Sequence, residues 1–135
     1  MSNVKYLYVR NPFKRRDITI ASDLVQENDE YTLKFAWTFR RNDEEFVKKF
    51  GREVAYDRLT GVAEDSEQYS ASIKLSNPTF YGISRAIVQY ISEHENTPRK
   101  YLEDLYEDMY YYTFCLSEKA RGRWIKDCFD ADEGN

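Results

Sequence analysis

The chain has one histidine, two cysteines, three prolines and five glycines among its 135 residues, and it contains no long apolar run. Each scarcity excludes something. A single histidine, His94, leaves no HExxH pair, and Cys115 and Cys128 have no CxxC partner, so no metal set is predicted and both thiols read as free and buried. Five glycines provide neither a glycine-rich phosphate loop nor a GxSxG elbow. Without about 18 consecutive apolar residues there is no membrane-spanning helix. No apolar signal-like stretch follows Met1, which together with the sparse cysteines predicts a cytoplasmic protein. A net charge of −4 removes the broad positive surface that a long nucleic acid requires. No catalytic residue and no cofactor is predicted, so the chain does not read as an enzyme.

What is abundant is charge, at 33%, and aromatic rings, at 16%, with tyrosine alone occurring 12 times. The length suits one domain, residues 1–130, followed by a frayed tail at 131–135.

Short β-rich runs come first. VKYLYV (Val4 to Val9) and DITIA (Asp17 to Ala21) read as a hairpin around the basic loop RNPFKRR, and VQENDE reads as a turn. YTLKFAWTF then alternates strictly, with Leu33, Phe35, Trp37 and Phe39 on one face. Asn42 and Glu45 form a capping box that starts a helix near Asp43. Its apolar stripe is Phe46, Phe50, Val54 and Leu59, and Gly61 stops it just past Thr60. YSASIKL reads as another strand. A second helix opens at Asn77 and Pro78 with Phe80, Ile83, Ile87 and Ile91 on its apolar side.

A third helix is expected from Pro98 to about Ser117, with Leu102, Leu105, Met109, Tyr112 and Leu116 facing the core. Tyr101, Tyr106, Tyr110 and Tyr111 cover much of its remaining circumference, more than one sheet can bury, which predicts a homo-oligomer. The fold class is therefore α+β: an N-terminal antiparallel β-sheet packed with long C-terminal α-helices. His94, in the polar SEHEN connection, is expected to be solvated.

Most of the unexplained chemistry lies in FAWTFRRNDEEFVKKFGREVAYDRL, Phe35 to Leu59. Lys48 and Arg52 are four apart on the helix and Lys49 and Arg52 three apart, so their charged ends can converge on one side, and Arg58 follows within reach of a long side chain. Trp37 and Phe39 lead into Arg40 and Arg41, which sets flat rings beside guanidinium forks. Gly51 sits in the helix interior, at a cost of roughly 1 kcal/mol relative to alanine, which a close approach by a backbone or a ligand would rationalise. A second pairing of charge and ring occurs at Arg121, Arg123 and Trp124. These patterns predict a pocket for a nucleotide-sized anion, lined by Trp37, Phe39, Arg40, Lys48, Arg52, Arg58, Arg121 and Arg123. The bland alternative is a solvated basic face balanced by Glu44, Glu45, Glu53 and Asp57.

The tryptophan-bearing strand followed by Phe46, Lys48, Lys49, Gly51, Arg52, Ala55, Arg58 and Leu59, in the pattern F-x-K-K-x-G-R-x-x-A-x-x-R-L, resembles the Thoeris anti-defence 1 family of small phage proteins. The resemblance covers Tyr31 to Leu59; RNPFKRR and the tyrosine-rich third helix have no counterpart in it. It implies a protein that sequesters a cyclic ADP-ribose immune signal, or a related cyclic nucleotide, in the host cell cytoplasm without cleaving it. It also implies an interlocked oligomer with ligand held between subunits. The main alternative is a small acidic inhibitor that binds a host or defence enzyme directly, through the carboxylate face of Glu103, Asp104, Glu107 and Asp108.

Overall fold

The computed structural model describes residues 4–11, 14, 16–40, 48–76 and 80–107. Strands β1 (Lys5–Asn11), β2 (Arg16–Glu27), β3 (Glu30–Phe39) and β4 (Ser70–Leu75) form one antiparallel sheet in chain order. Helix α1 (Lys48–Thr60) lies between β3 and β4 in sequence, and α2 (Phe80–Glu93) follows β4. A 3-10 turn at Arg99–Tyr101 leads into a helical stretch at 102–107. The class is α+β, as the pattern predicts. Most of the expected third helix, both cysteines and the tail lie outside the described residues. None of the described helices is long and apolar enough to cross a membrane.

The two faces of the sheet differ in kind, because cross-strand partners share a face. On one face the register stacks Leu7, Ile20 and Trp37 in one row, Val9, Ile18 and Phe39 in another, and Leu24, Leu33 and Ile73 in a third. Ile83, Ile87 and Ile91 of α2 close over these rows together with Tyr101 and Leu105, all of them fully or almost fully buried. This is the large-residue core that the alternation in β3 and the stripe of α2 both predict.

The opposite face is built of small residues: Thr19 pairs with Thr38 and Ala21 with Ala36. Helix α1 lies over this face against β2 and β3. It turns small residues inward, with Ala55 fully buried and Gly51 so close that a Cβ added to it would sit 2.6 Å from Thr19 Oγ1. The expected stripe of Phe46, Phe50, Val54 and Leu59 is therefore not the buried side. Phe50 is 55% exposed, Val54 and Leu59 are half-buried, and Phe46 lies outside the described residues. A shallow face of threonines and alanines accepts a glycine–alanine ridge at short range, whereas large apolar side chains would hold the helix off it.

Other expectations are corrected. β2 runs on to Glu27 where a turn was expected, because Leu24 belongs to the core and pairs with Leu33; the reversal is confined to Asn28 and Asp29, with Asn28 in the left-handed region at φ 56°. Gly61 adopts φ 81° just past α1, as its position predicts. Tyr101, expected on the outer circumference of the third helix, is 1% exposed, and its hydroxyl donates to the Arg40 carbonyl at 2.9 Å. Tyr106 does lie outward, at 55% exposed.

Candidate functional site

The structure sorts the predicted site residues into two groups with different surroundings. Trp37 is fully buried, with ring centroids of Phe35 at 5.7 Å, Tyr69 at 6.3 Å, Tyr90 at 6.0 Å and His94 at 5.0 Å. It packs the core and presents no surface to a ligand. His94 is correspondingly half-buried rather than solvated, and its Nδ1 accepts from the Asn96 amide at 3.2 Å. Phe39 is half-buried, with its ring 4.8 Å from that of Tyr101.

The arginines nearest those rings serve the fold. Arg40 Nη1 donates to Asp17 Oδ2 at 2.6 Å, Arg10 Nε donates to the other oxygen of the same carboxylate at 3.1 Å, and Asp17 is 2% exposed. Arg58 donates Nη1 to the Trp37 carbonyl at 2.7 Å and takes Asp65 in a two-pronged grip, Nε to Oδ1 at 3.1 Å and Nη2 to Oδ2 at 2.7 Å. Its guanidinium also lies 4.1 Å from the centre of the Tyr69 ring. That grip holds the Asp65 carboxyl below its ordinary range. Burying a charge is costly unless it is paired, so cations that enter the layers meet carboxylates there. The carboxylate face of the third helix is divided on the same ground. Asp104 is buried and takes Arg16 through bonds of 2.8 and 2.9 Å and Asn11 at 2.8 Å, while Glu103 and Glu107 stay exposed.

Arg52 belongs to the second group. Helix α1 packs chiefly over β2 and β3, and a cleft of ≈ 550 Å³ opens between its flank and the edge strand, lined by Tyr6, Lys49, Arg52, Glu53, Tyr56 and Asp57. That volume falls in the range of small-molecule sites. The spacing on α1 explains the lining, since residues 49, 52, 53 and 56 fall on one flank of a helix with 3.6 residues per turn. Tyr6 reaches it from β1, on the same sheet face as Ala21 beneath α1.

The half-buried Arg52 holds its guanidinium 6.0 Å from the centre of the Tyr6 ring. Burial pushes the Tyr6 hydroxyl above its ordinary value, and the Arg52 charge pulls part of the way back. Among the described residues neither Lys49 nor Arg52 has a carboxylate within 4 Å, whereas Arg10, Arg16, Arg40 and Arg58 each have one.

Of the predicted site, then, Arg52 lines the cleft, while Trp37, Phe39, Arg40 and Arg58 stand elsewhere in packing or structural ion pairs. The side chain of Lys48 and all of Arg121 and Arg123 lie outside the described residues. Tyr6, Glu53, Tyr56 and Asp57 are additions to the predicted site, and Lys49, whose three-residue spacing from Arg52 predicts convergence, lines the cleft with Arg52. The four on α1 share a readable helical flank with Arg52, but Tyr6 joins them only through the sheet topology. No protein-family model, curated protein or solved structure matches the chain.

Proposed function

We propose that this protein binds and sequesters a phosphate-bearing nucleotide, of the cyclic ADP-ribose kind that its resemblance to the Thoeris anti-defence 1 family names, and does so as a homo-oligomer without cleaving its ligand. The observation that carries the reading is the pair of cations Arg52 and Lys49, which among the described residues have no carboxylate partner and stand beside the rings of Tyr6 and Tyr56. A guanidinium offers phosphate a charge-assisted fork, and a phenol ring offers a base a flat surface. Sequestration asks only for affinity; to outcompete a receptor a nanomolar dissociation constant, roughly −12 kcal/mol, is the useful range.

Calorimetric titration of a cyclic ADP-ribose isomer into wild type, Arg52→Ala and Arg52→Lys tests this. Loss of the Arg52 hydrogen bonds removes roughly 1.5–3 kcal/mol and weakens binding about ten- to a hundredfold, and lysine restores part of it because a point charge cannot replace a fork. Heating the loaded protein releases the ligand intact. Altered product would make the protein an enzyme, and absence of uptake would leave direct inhibition of a host or defence enzyme as the better reading.

A further inference from the structure

We infer that Glu53 and Asp57 set the specificity of this cleft by accepting hydrogen bonds from sugar hydroxyls, so that it takes a ribonucleotide lying along α1, phosphate toward Lys49 and Arg52 and ribose toward Tyr56 and Asp57. The inference rests on the nucleotide reading above and adds to it an orientation and a reason for discrimination.

The five lining residues on α1 are ordered by charge along it. Lys49 and Arg52 come first, Glu53 follows directly after Arg52 and Asp57 stands a turn further on, so that at 1.5 Å per residue the centres of the cationic and carboxylate pairs are offset by about 7 Å. That offset is comparable to the reach from a 5′-phosphate to the vicinal hydroxyls of the same ribose. Lys49 and Glu53 are four apart and in register to pair, with lysine N-terminal to glutamate, the less favourable order. Among the described residues neither Glu53 nor Asp57 has a cation within 4 Å, so both carboxylates are left to accept from a ligand. A cleft built only to attract phosphate has no use for two carboxylates on its wall, because each repels the anion. They do serve a ligand with one anionic end and one end rich in hydroxyl donors, since ionised carboxylates accept and never donate. The same wall disfavours a compact polyanion that carries charge at both ends.

The experiment uses two probes, ADP-ribose and inorganic pyrophosphate, titrated into wild type and Glu53→Gln/Asp57→Asn, with circular dichroism confirming that both proteins are folded. The expected result has opposite signs for the two probes. Wild type prefers ADP-ribose, and the double variant weakens ADP-ribose about tenfold or more while holding or tightening pyrophosphate. Tightening of both probes shows that the carboxylates only repel anions and overturns the inference. Unchanged ADP-ribose affinity in the double variant, with binding still dependent on Arg52, overturns it too and leaves the proposed function standing. If wild type takes up neither probe nor a cyclic ADP-ribose isomer, the nucleotide reading fails and the inference fails with it.

Discussion

Replacing Gly51 with alanine opposes a local gain to a tertiary loss, and the geometry decides which wins. In a helix interior alanine is favoured over glycine by about 1 kcal/mol. Here the new Cβ would meet Thr19 Oγ1 at 2.6 Å, Cβ at 3.2 Å and Cγ2 at 3.5 Å, and Thr19 is 3% exposed. Turning the threonine about χ1 moves the oxygen away, but a β-branched side chain has a second heavy atom to accommodate, and its own Cβ stays at 3.2 Å. Overpacking of this kind costs about 1–3 kcal/mol, so the net expectation is a loss near 1 kcal/mol.

Thr19→Ala deletes both γ atoms. In that background Gly51→Ala becomes neutral or stabilising by about 0.5 kcal/mol, and the coupling between the two sites in a double-mutant cycle exceeds about 1 kcal/mol. Urea denaturation of the four proteins measures it. A Gly51→Ala protein more stable than wild type, or additive effects, would refute the close helix–sheet approach. The same displacement would carry the neighbouring Arg52 away from Tyr6, so stability and ligand affinity fall together.

Two further outcomes follow from the ion pairs and the buried phenol. Burial and the nearby Asp17 carboxylate push Tyr101 up to about 12 from 10.0, so the stability it contributes is complete below pH 10 and is lost as pH rises from there through 12, and Tyr101→Phe flattens that alkaline limb of the stability curve. Arg58→Ala strands the Trp37 carbonyl and costs about 2–3 kcal/mol by denaturant titration, whereas Arg58→Lys recovers part; because Asp65 is held below its ordinary 3.8, its contribution is present above that pH and disappears on further acidification in wild type but not in Arg58→Ala.

The large-residue face could be read from the chain because its information is local. Strict alternation from Leu33 to Phe39 and the fourfold spacing of Ile83, Ile87 and Ile91 each announce a buried side without reference to any partner. The buried side of α1 could not be read that way. Phe50 and Val54 form the more apolar stripe, yet the helix buries Gly51 and Ala55, because the surface it meets is made of Thr19, Ala21, Ala36 and Thr38. That surface exists only once β2 and β3 are paired in register over their full length, and the β-rich run Asp17 to Ala21 marks only part of β2. The four-residue step from Gly51 to Ala55 and the small residues alternating through β3 were the available signals. The fate of each arginine was hidden for a related reason. Arg40 finds Asp17 at a separation of 23 residues and Arg16 finds Asp104 at 88, and neither pairing leaves a periodicity in the sequence.

The sorting of cations also bears on how a ligand would be held. Arg40 and Arg58 are 11% and 13% exposed at their side chains, and each is bound to a carboxylate; a phosphate would have to displace that partner and leave it uncompensated. Arg52 meets neither difficulty. Half-buried against Tyr6, it has already lost part of its hydration, so less desolvation remains when phosphate arrives than at an open surface, and among the described residues no carboxylate is ion-paired with it. The described cleft is nevertheless shallow cover for a ligand, with Lys49, Glu53, Tyr56 and Asp57 all open to solvent. One charge-assisted fork and two rings fall short of the roughly −12 kcal/mol that sequestration needs, because association must first offset lost translational and rotational freedom. On the proposed reading the missing interaction comes from a second wall. A neighbouring subunit that closes the cleft would exclude water from Arg52 and Lys49 and strengthen both, which makes self-association part of the binding chemistry.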